Sequence, residues 1–245
     1  MRKHKSDRII GVLTVILLGV GLIVIYAIGP MRANVMNATY GTDYSENYFF
    51  LRQLLNVVLA MAVFIAAFKL PYAWVKKWGK VVLIVGLLAC AALMVLSWTG
   101  SSMASCELGA CRWIKVGGGI SFQPAEIAKF GLILFLASSM SNRQKKLKKF
   151  RTGLLPYGII LACLSGLILL QPNLSMVICL GIIWFGMMFA GGIPIRQIVF
   201  MMALGFVAVL VLAFGAGYRK SRMTTFLDPW SDASNKGYQI IQSLY

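Results

Sequence analysis

The chain has 245 residues, of which 59% are hydrophobic and 13% charged, with a mean hydropathy of +0.79 and a formal net charge of +17. Soluble domains are about half apolar and a quarter charged, so the composition excludes a soluble globular protein and implies a polytopic membrane protein. The single histidine, His4, lies in the basic N-terminal tail, which excludes Ser-His triads, paired-histidine zinc sites and His-based proton transfer.

Apolar segments approach or reach the roughly 17–25 residues that cross about 30 Å of hydrocarbon. They cover residues 9–29, 49–68, 81–98, 124–140, 153–170, 174–190 and 198–217, and predict an all-α, seven-helix membrane bundle forming one domain over 1–245. The first run is too long for the apolar core of a signal peptide and no clear small-x-small site follows it, so it reads as a retained span. Fifteen of the 24 Lys and Arg fall in segments 1–8, 69–80, 141–152 and 191–197, against one acid, Asp7. Cytoplasmic loops hold the excess of Lys and Arg, so the N-terminus is predicted inside. That bias, with attraction to anionic lipid, accounts for the net charge without nucleic acid.

At the start of the second span, Arg52-Gln53 reads as an interfacial anchor. Cys90, Cys163 and Cys179 lie in spans and read as small packing residues. Cys106 and Cys111 share an outer loop, where a disulfide, two free thiols or an unshared metal site are all open. Arg112-Trp113-Ile114 then leads through Gly117–Gly119, read as a flexible loop, into Phe122-Gln123-Pro124-Ala125-Glu126-Ile127-Ala128-Lys129.

Proline suits a first helical turn, since its missing N–H has no partner there anyway. Gln123 therefore falls near the cap, Glu126 in the first turn, and Lys129 one turn deeper on the same face. Ionised groups in a membrane helix cost roughly 2.5–3.5 kcal/mol each at the bilayer centre. One reading is the polar wall of an outward-facing cavity, with Lys129 and Arg112 offered to a phosphate and Glu126 ordering them or helping to hold a cation. The other is an ion pair that locks the helix against its neighbours.

Gln171-Pro172-Asn173 forms a tight outer turn in which Asn173 can cap the next helix or meet a ligand. After the last span, Arg219, Lys220 and Arg222 cluster at the outer surface and run on into Phe226-Leu227-Asp228-Pro229-Trp230. Clustered cations there suit a pyrophosphate, or they snorkel to ordinary lipid phosphates. Tyr48, Trp98, Trp113, Tyr218 and Trp230 read as an outer aromatic belt.

These elements, with Gly237-Tyr238-Gln239-Ile240-Ile241-Gln242-Ser243, occur in an order and spacing that resembles the SEDS proteins (shape, elongation, division, sporulation), which include FtsW, RodA and SpoVE. The resemblance covers essentially the whole chain and leans to the FtsW/SpoVE branch. It implies a ten-span glycosyltransferase of the bacterial plasma membrane that polymerises lipid II into glycan strands. It also implies a class B penicillin-binding protein as partner, among other divisome or elongasome membrane proteins. Arg112, Gln123, Glu126, Lys129, Lys220 and Arg222 are then expected at the lipid-linked pyrophosphate, supported by Arg52, Gln53, Asn173 and Asp228, with a divalent cation (Mg or Mn) as a candidate cofactor. The family's proposed catalytic aspartate and three further spans are expected beyond Tyr245.

The chain departs from the family in having Asn173 where an aspartate is usual, which keeps a helix cap but removes a charge. Ala125 stands in place of a common serine. Two other functions compete: a lipid II flippase, and a non-catalytic scaffold of the division machinery. A flippase needs polar groups continuing inward, whereas Phe130-Gly-Leu-Ile-Leu-Phe-Leu136 is apolar.

Overall fold

In the computed structural model, residues 8–107, 110–117, 120–147, 149–214, 230 and 241–243 are described. The chain divides into two compact units, Met1–Pro71 and Tyr72–Tyr245.

The first unit is a helical hairpin of α1 (Arg8–Tyr40) and α2 (Tyr48–Lys69). The sequence predicts that the first span ends at Gly29, before a proline, yet α1 continues through Pro30. Proline removes one helical hydrogen bond, and contacts on both sides of it carry the helix past that gap. Tyr26 meets Phe50 edge-on at 5.3 Å, and the Arg32 guanidinium stacks 5.5 Å over the Phe49 ring. The helix ends instead at Gly41, whose φ of 64° gives a left-handed cap and whose N–H bonds Asn37 O at 3.0 Å. The Asn37 side chain then accepts from Tyr44 N and donates to Tyr44 O, both at 2.9 Å, which fixes the turn into α2.

The second unit begins with α3 (Tyr72–Trp98), nine residues earlier than the predicted 81. Tyr72-Ala-Trp-Val-Lys-Lys-Trp breaks the apolar run but not helical geometry, and Lys76 there donates to Asn142 Oδ1 at 2.9 Å. A three-stranded antiparallel meander follows, in the order β1 (Ala104–Glu107), β2 (Ala110–Gly117), β3 (Ile120–Phe122). The segment read as a flexible loop is thus flanked by paired strands, β2 ending at Gly117 and β3 starting at Ile120, with Gly118 and Gly119 outside the described residues.

β3 feeds directly into α4 (Pro124–Asn142), followed by the short α5 (Gln144–Leu147). A π-helical turn at Phe150–Leu154 continues into α6 (Leu155–Leu169), and then come α7 (Leu174–Ala190) and α8 (Ile195–Phe214). Among the described residues, α1, α2, α3 and the stretch Phe150–Leu169 are each long and apolar enough to cross a membrane. Apolar helix also covers Leu174–Ala190 and Ile195–Gly205, in shorter runs.

The core of this unit lies among α3, α4, α6 and α7, where Leu132, Leu136, Leu164, Ile168, Leu180 and Trp184 are fully buried. The Trp184 indole N–H donates to Tyr157 O at 3.0 Å, and the Tyr157 hydroxyl pairs with Ser139 Oγ at 3.0 Å, so both polar tips are satisfied. α3 and α4 approach to backbone contact. A Cβ on Gly86 would fall 2.6 Å from Ala128 N, and one on Gly131 would fall 2.6 Å from Leu83 Cα. Small residues that admit such contact are how helices associate in lipid, where no hydrophobic force drives them together. Of the three span cysteines, Cys90 is buried as expected and Cys179 half-buried. Cys163 is exposed, which corrects its reading as a packing residue, because helical periodicity turns it away from the α6 face carrying Leu164 and Ile168.

Candidate functional site

The sheet, the first turn of α4 and the α6–α7 turn assemble at one end of the second unit. β2 packs on both α3 and α4. In the β2–β3 register Ile114 lies opposite Phe122, so Arg112, two residues back along β2, is level with Pro124 at the start of α4. Ala110 and Ile114 are buried and Arg112 half-buried, whereas the side chains of Trp113 and Lys115 are exposed. This alternation is that of a strand with one covered face.

Gln123 caps α4 with extended backbone (φ −100°, ψ 112°), its side chain making no cap bond, while its carbonyl accepts from Glu126 N at 3.1 Å. Pro124 occupies the first turn. Glu126 shares that turn, Lys129 lies one turn deeper, and the two form an ion pair at 2.6 Å, with side chains 50% and 25% exposed respectively. Their neighbours Ala125 and Ala128 are fully buried against α3. The helix therefore turns its small residues inward and its charged pair toward open space. A pair at that exposure is screened and contributes little to stability. Its consequence is to hold an ammonium and a carboxylate at a fixed place beside the sheet.

Arg112 is not simply presented to solvent. It donates through Nη2 to Pro172 O at 2.6 Å, across 60 residues of sequence, tying β2 to the α6–α7 turn. Gln171, 4% exposed, donates through Nε2 to Cys90 O at 3.0 Å and ties the same turn to α3. Asn173 accepts from Met176 N at 3.3 Å, which is the capping role open to it. Two buried polar atoms here, Arg112 Nε and Gln171 Oε1, have no hydrogen-bond partner among the described residues. One is a donor and the other an acceptor, at neighbouring points of one latch. The sequence marked Arg112 and Asn173 but missed Gln171 as a latch. An amide ending an apolar helix was its only signal.

Cys106 and Cys111 are partners in the β1–β2 register and are joined by a disulfide, which closes that hairpin. Arg52 and Gln53 belong to the first unit, where Arg52 donates to the Tyr48 hydroxyl at 3.2 Å. Lys220, Arg222 and Asp228 lie outside the described residues. Among the described residues, no three His, Cys, Asp or Glu side chains converge as metal ligands, and the Glu126 carboxylate already faces Lys129. This set does not by itself fit a divalent cation.

Residues 8–245 match the family of FtsW, RodA and SpoVE, described as cell cycle proteins. The chain belongs to the FtsW/RodA/SpoVE family. It is 31% identical over 251 residues to a protein named "Probable peptidoglycan glycosyltransferase FtsW" from Polynucleobacter necessarius, covering 99% of this chain and 56% of that one. It is 32% identical over 250 residues to the stage V sporulation protein E of Bacillus subtilis, covering 100% of this chain and 63% of that protein. The chain thus spans about three fifths of the length of the curated relatives it matches.

Among solved structures, a chain of a peptidoglycan synthase complex that coordinates polymerization and crosslinking matches with a TM-score of 0.62 and 26% identity, over 91% of this chain and 63% of that one. The rod shape determining protein RodA of Thermus thermophilus shares the fold, with a TM-score of 0.56 and 24% identity over 80% of this chain and 60% of that one. The FtsW/RodA/SpoVE fold is that of a multi-pass membrane protein, as the apolar helices require.

Proposed function

We propose that this chain forms part of a glycosyltransferase of the bacterial plasma membrane that polymerises lipid II into glycan strands. It would act beside a class B penicillin-binding protein that crosslinks them. Family membership and the names of its relatives support the reaction class, and the peptidoglycan synthase complex supports the kind of partner. The observation that carries the reading at residue level is the Glu126–Lys129 pair, ordered yet open at the start of α4.

In glycosyl transfer an acceptor sugar hydroxyl bonds to the anomeric carbon and gives up its proton. The bond from that carbon to the lipid pyrophosphate breaks, and the pyrophosphate departs with the electron pair, gaining negative charge. A fixed ammonium stabilises that charge without having to reorganise as it develops. Lys129 is the group for this task, and Glu126 holds its side chain in place. Arg112, engaged with Pro172 O, ties β2 to the α6–α7 turn and so positions that turn against the sheet. Lys220 and Arg222 would add charge from the segment after α8, and a divalent cation would need ligands additional to Glu126.

The test is Lys129→Ala in the complete gene product, assayed for polymerisation of lipid II in reconstituted vesicles. Losing one charge-assisted contact to the departing group lowers the rate about tenfold to a hundredfold, with membrane insertion unchanged. Wild-type rate and strand length in this variant refute the phosphate role of Lys129. Movement of labelled lipid II across the vesicle without polymer assigns the chain to transport instead.

A further inference from the structure

The first unit carries a groove that the reading above does not use. It has a volume of about 400 Å³ and lies between α1 and α2, near the end where the two helices are joined. Arg32 and Arg52 line it together with Gln53 and Asn56, and Ile25 and Ile28 supply an apolar wall. We propose that this groove binds the phosphate diester of an anionic membrane lipid, with the two arginines on the phosphate, the two amides on its ester oxygens, and an acyl chain along the isoleucines.

Four observations carry this. The first is depth. α1 has 33 residues, roughly 50 Å of helix at 1.5 Å per residue, which exceeds the ~30 Å hydrocarbon layer. Its last turns therefore stand in the headgroup region, and Arg32 lies eight residues before its end.

The second is charge. With the N-terminus inside, Arg32 and Arg52 are on the outer side, where basic residues are disfavoured. Arg32 pairs with no carboxylate among the described residues, although Asp43 and Glu46 stand in the adjoining turn. Stacking over Phe49 occupies the face of its guanidinium and leaves the edge, which carries the N–H donors, for an anion.

The third is the polar strip on α2. Gln53 and Asn56 follow Phe49 at four and seven residues, on one helix face, and enter a span that is otherwise apolar. Neither makes a side-chain hydrogen bond among the described residues, which is costly in hydrocarbon unless a ligand supplies the partner. The fourth is space. Gly29 is buried where α1 meets α2, and a Cβ there would already lie 3.8 Å from Phe49 Cβ, so any larger side chain fills the groove.

The experiment is native mass spectrometry of the detergent-purified protein with dioleoyl phosphatidylglycerol, with the zwitterionic dioleoyl phosphatidylethanolamine, and with inorganic phosphate. Phosphatidylglycerol is expected to be retained best, since the ethanolamine ammonium repels the arginines and free phosphate lacks the acyl contact. Arg32→Gln/Arg52→Gln lowers its apparent affinity about twenty-fivefold, near fivefold per arginine. Gly29→Leu lowers it comparably with no change of charge, and Arg143→Gln/Arg151→Gln, removing two cations elsewhere, leaves it unchanged.

Equal retention of phosphatidylglycerol by the wild type, Arg32→Gln and Gly29→Leu overturns the proposal. So does its displacement by equimolar inorganic phosphate, which would leave only an anion site. Arg52→Gln also removes the bond to Tyr48, so if the double variant is obtained in poor yield, Arg32→Gln alone carries the test with a fivefold expectation. The readout is lipid retention, so its failure is distinct from any failure of the polymerisation reading.

Discussion

Replacing Gly86 by alanine tests how the fold holds the charged pair in place. The new Cβ falls 2.6 Å from Ala128 N and 2.9 Å from Ala128 Cβ. Carbon contacts settle near 3.5–4.0 Å, so α3 and α4 must separate by about 1 Å at this level. Over-packing of this kind costs about 1–3 kcal/mol, partly offset by the roughly 1 kcal/mol gain in helix propensity from Gly to Ala.

A larger residue such as valine adds two further methyl groups at the same point, with a β-branched propensity in place of alanine's. For a unit of this size the expected fall in apparent Tm is about 2–10 °C, smallest for alanine and larger for valine. Lys129 directly follows Ala128, so the ion pair moves relative to the sheet, and the polymerisation proposed for the complete gene product is expected to fall with it. The assay is thermal unfolding in detergent beside lipid II polymerisation, with Gly181→Ala as control. A Cβ at Gly181 meets nothing within 4 Å, so that variant should be neutral or stabilised. A Gly86→Val protein with wild-type Tm and activity would refute the backbone-contact argument.

Arg112→Leu strips the α6–α7 turn of its bond from β2 and should cost about 1.5–3 kcal/mol, read as a lower Tm, with Arg112→Lys recovering only part of it. Asn173→Ala removes the α7 cap and should cost about 1 kcal/mol, whereas Asn173→Asp keeps the cap oxygen and leaves unfolding within about 0.5 kcal/mol of wild type. Cys106→Ser/Cys111→Ser opens a short covalent loop worth about 2 kcal/mol in the chain-entropy account; alkylation mass should show two further reactive thiols in the wild type only after reduction.

Much of this was legible in local sequence. Pro124 two residues before Glu126 predicted both the start of α4 and the outward turn of the carboxylate, because proline at a first helical position and an acid in the first turn are short-range effects. The outer sheet was not legible. Its strands are four, eight and three residues long and are interrupted by glycine, so no run was long enough to show a period of two against the surrounding loop. Gln171 was read only as part of a turn, because nothing near it in sequence says that its partner is a carbonyl of α3.

Sequence alone determined that the chain is a helical membrane protein and where along it the charged pair falls. Hydropathy summed over about twenty residues and the preferences of Pro, Gly and acids at helix ends act within a few turns of chain. Tertiary structure decided what those groups do to one another. The bond from Arg112 to Pro172 spans 60 residues and that from Gln171 to Cys90 spans 81, and the approach of Gly86 to Ala128 depends on how two whole helices pack. Such contacts exist only once distant segments are brought together, because the ordering cost of holding them is met by packing across the whole unit.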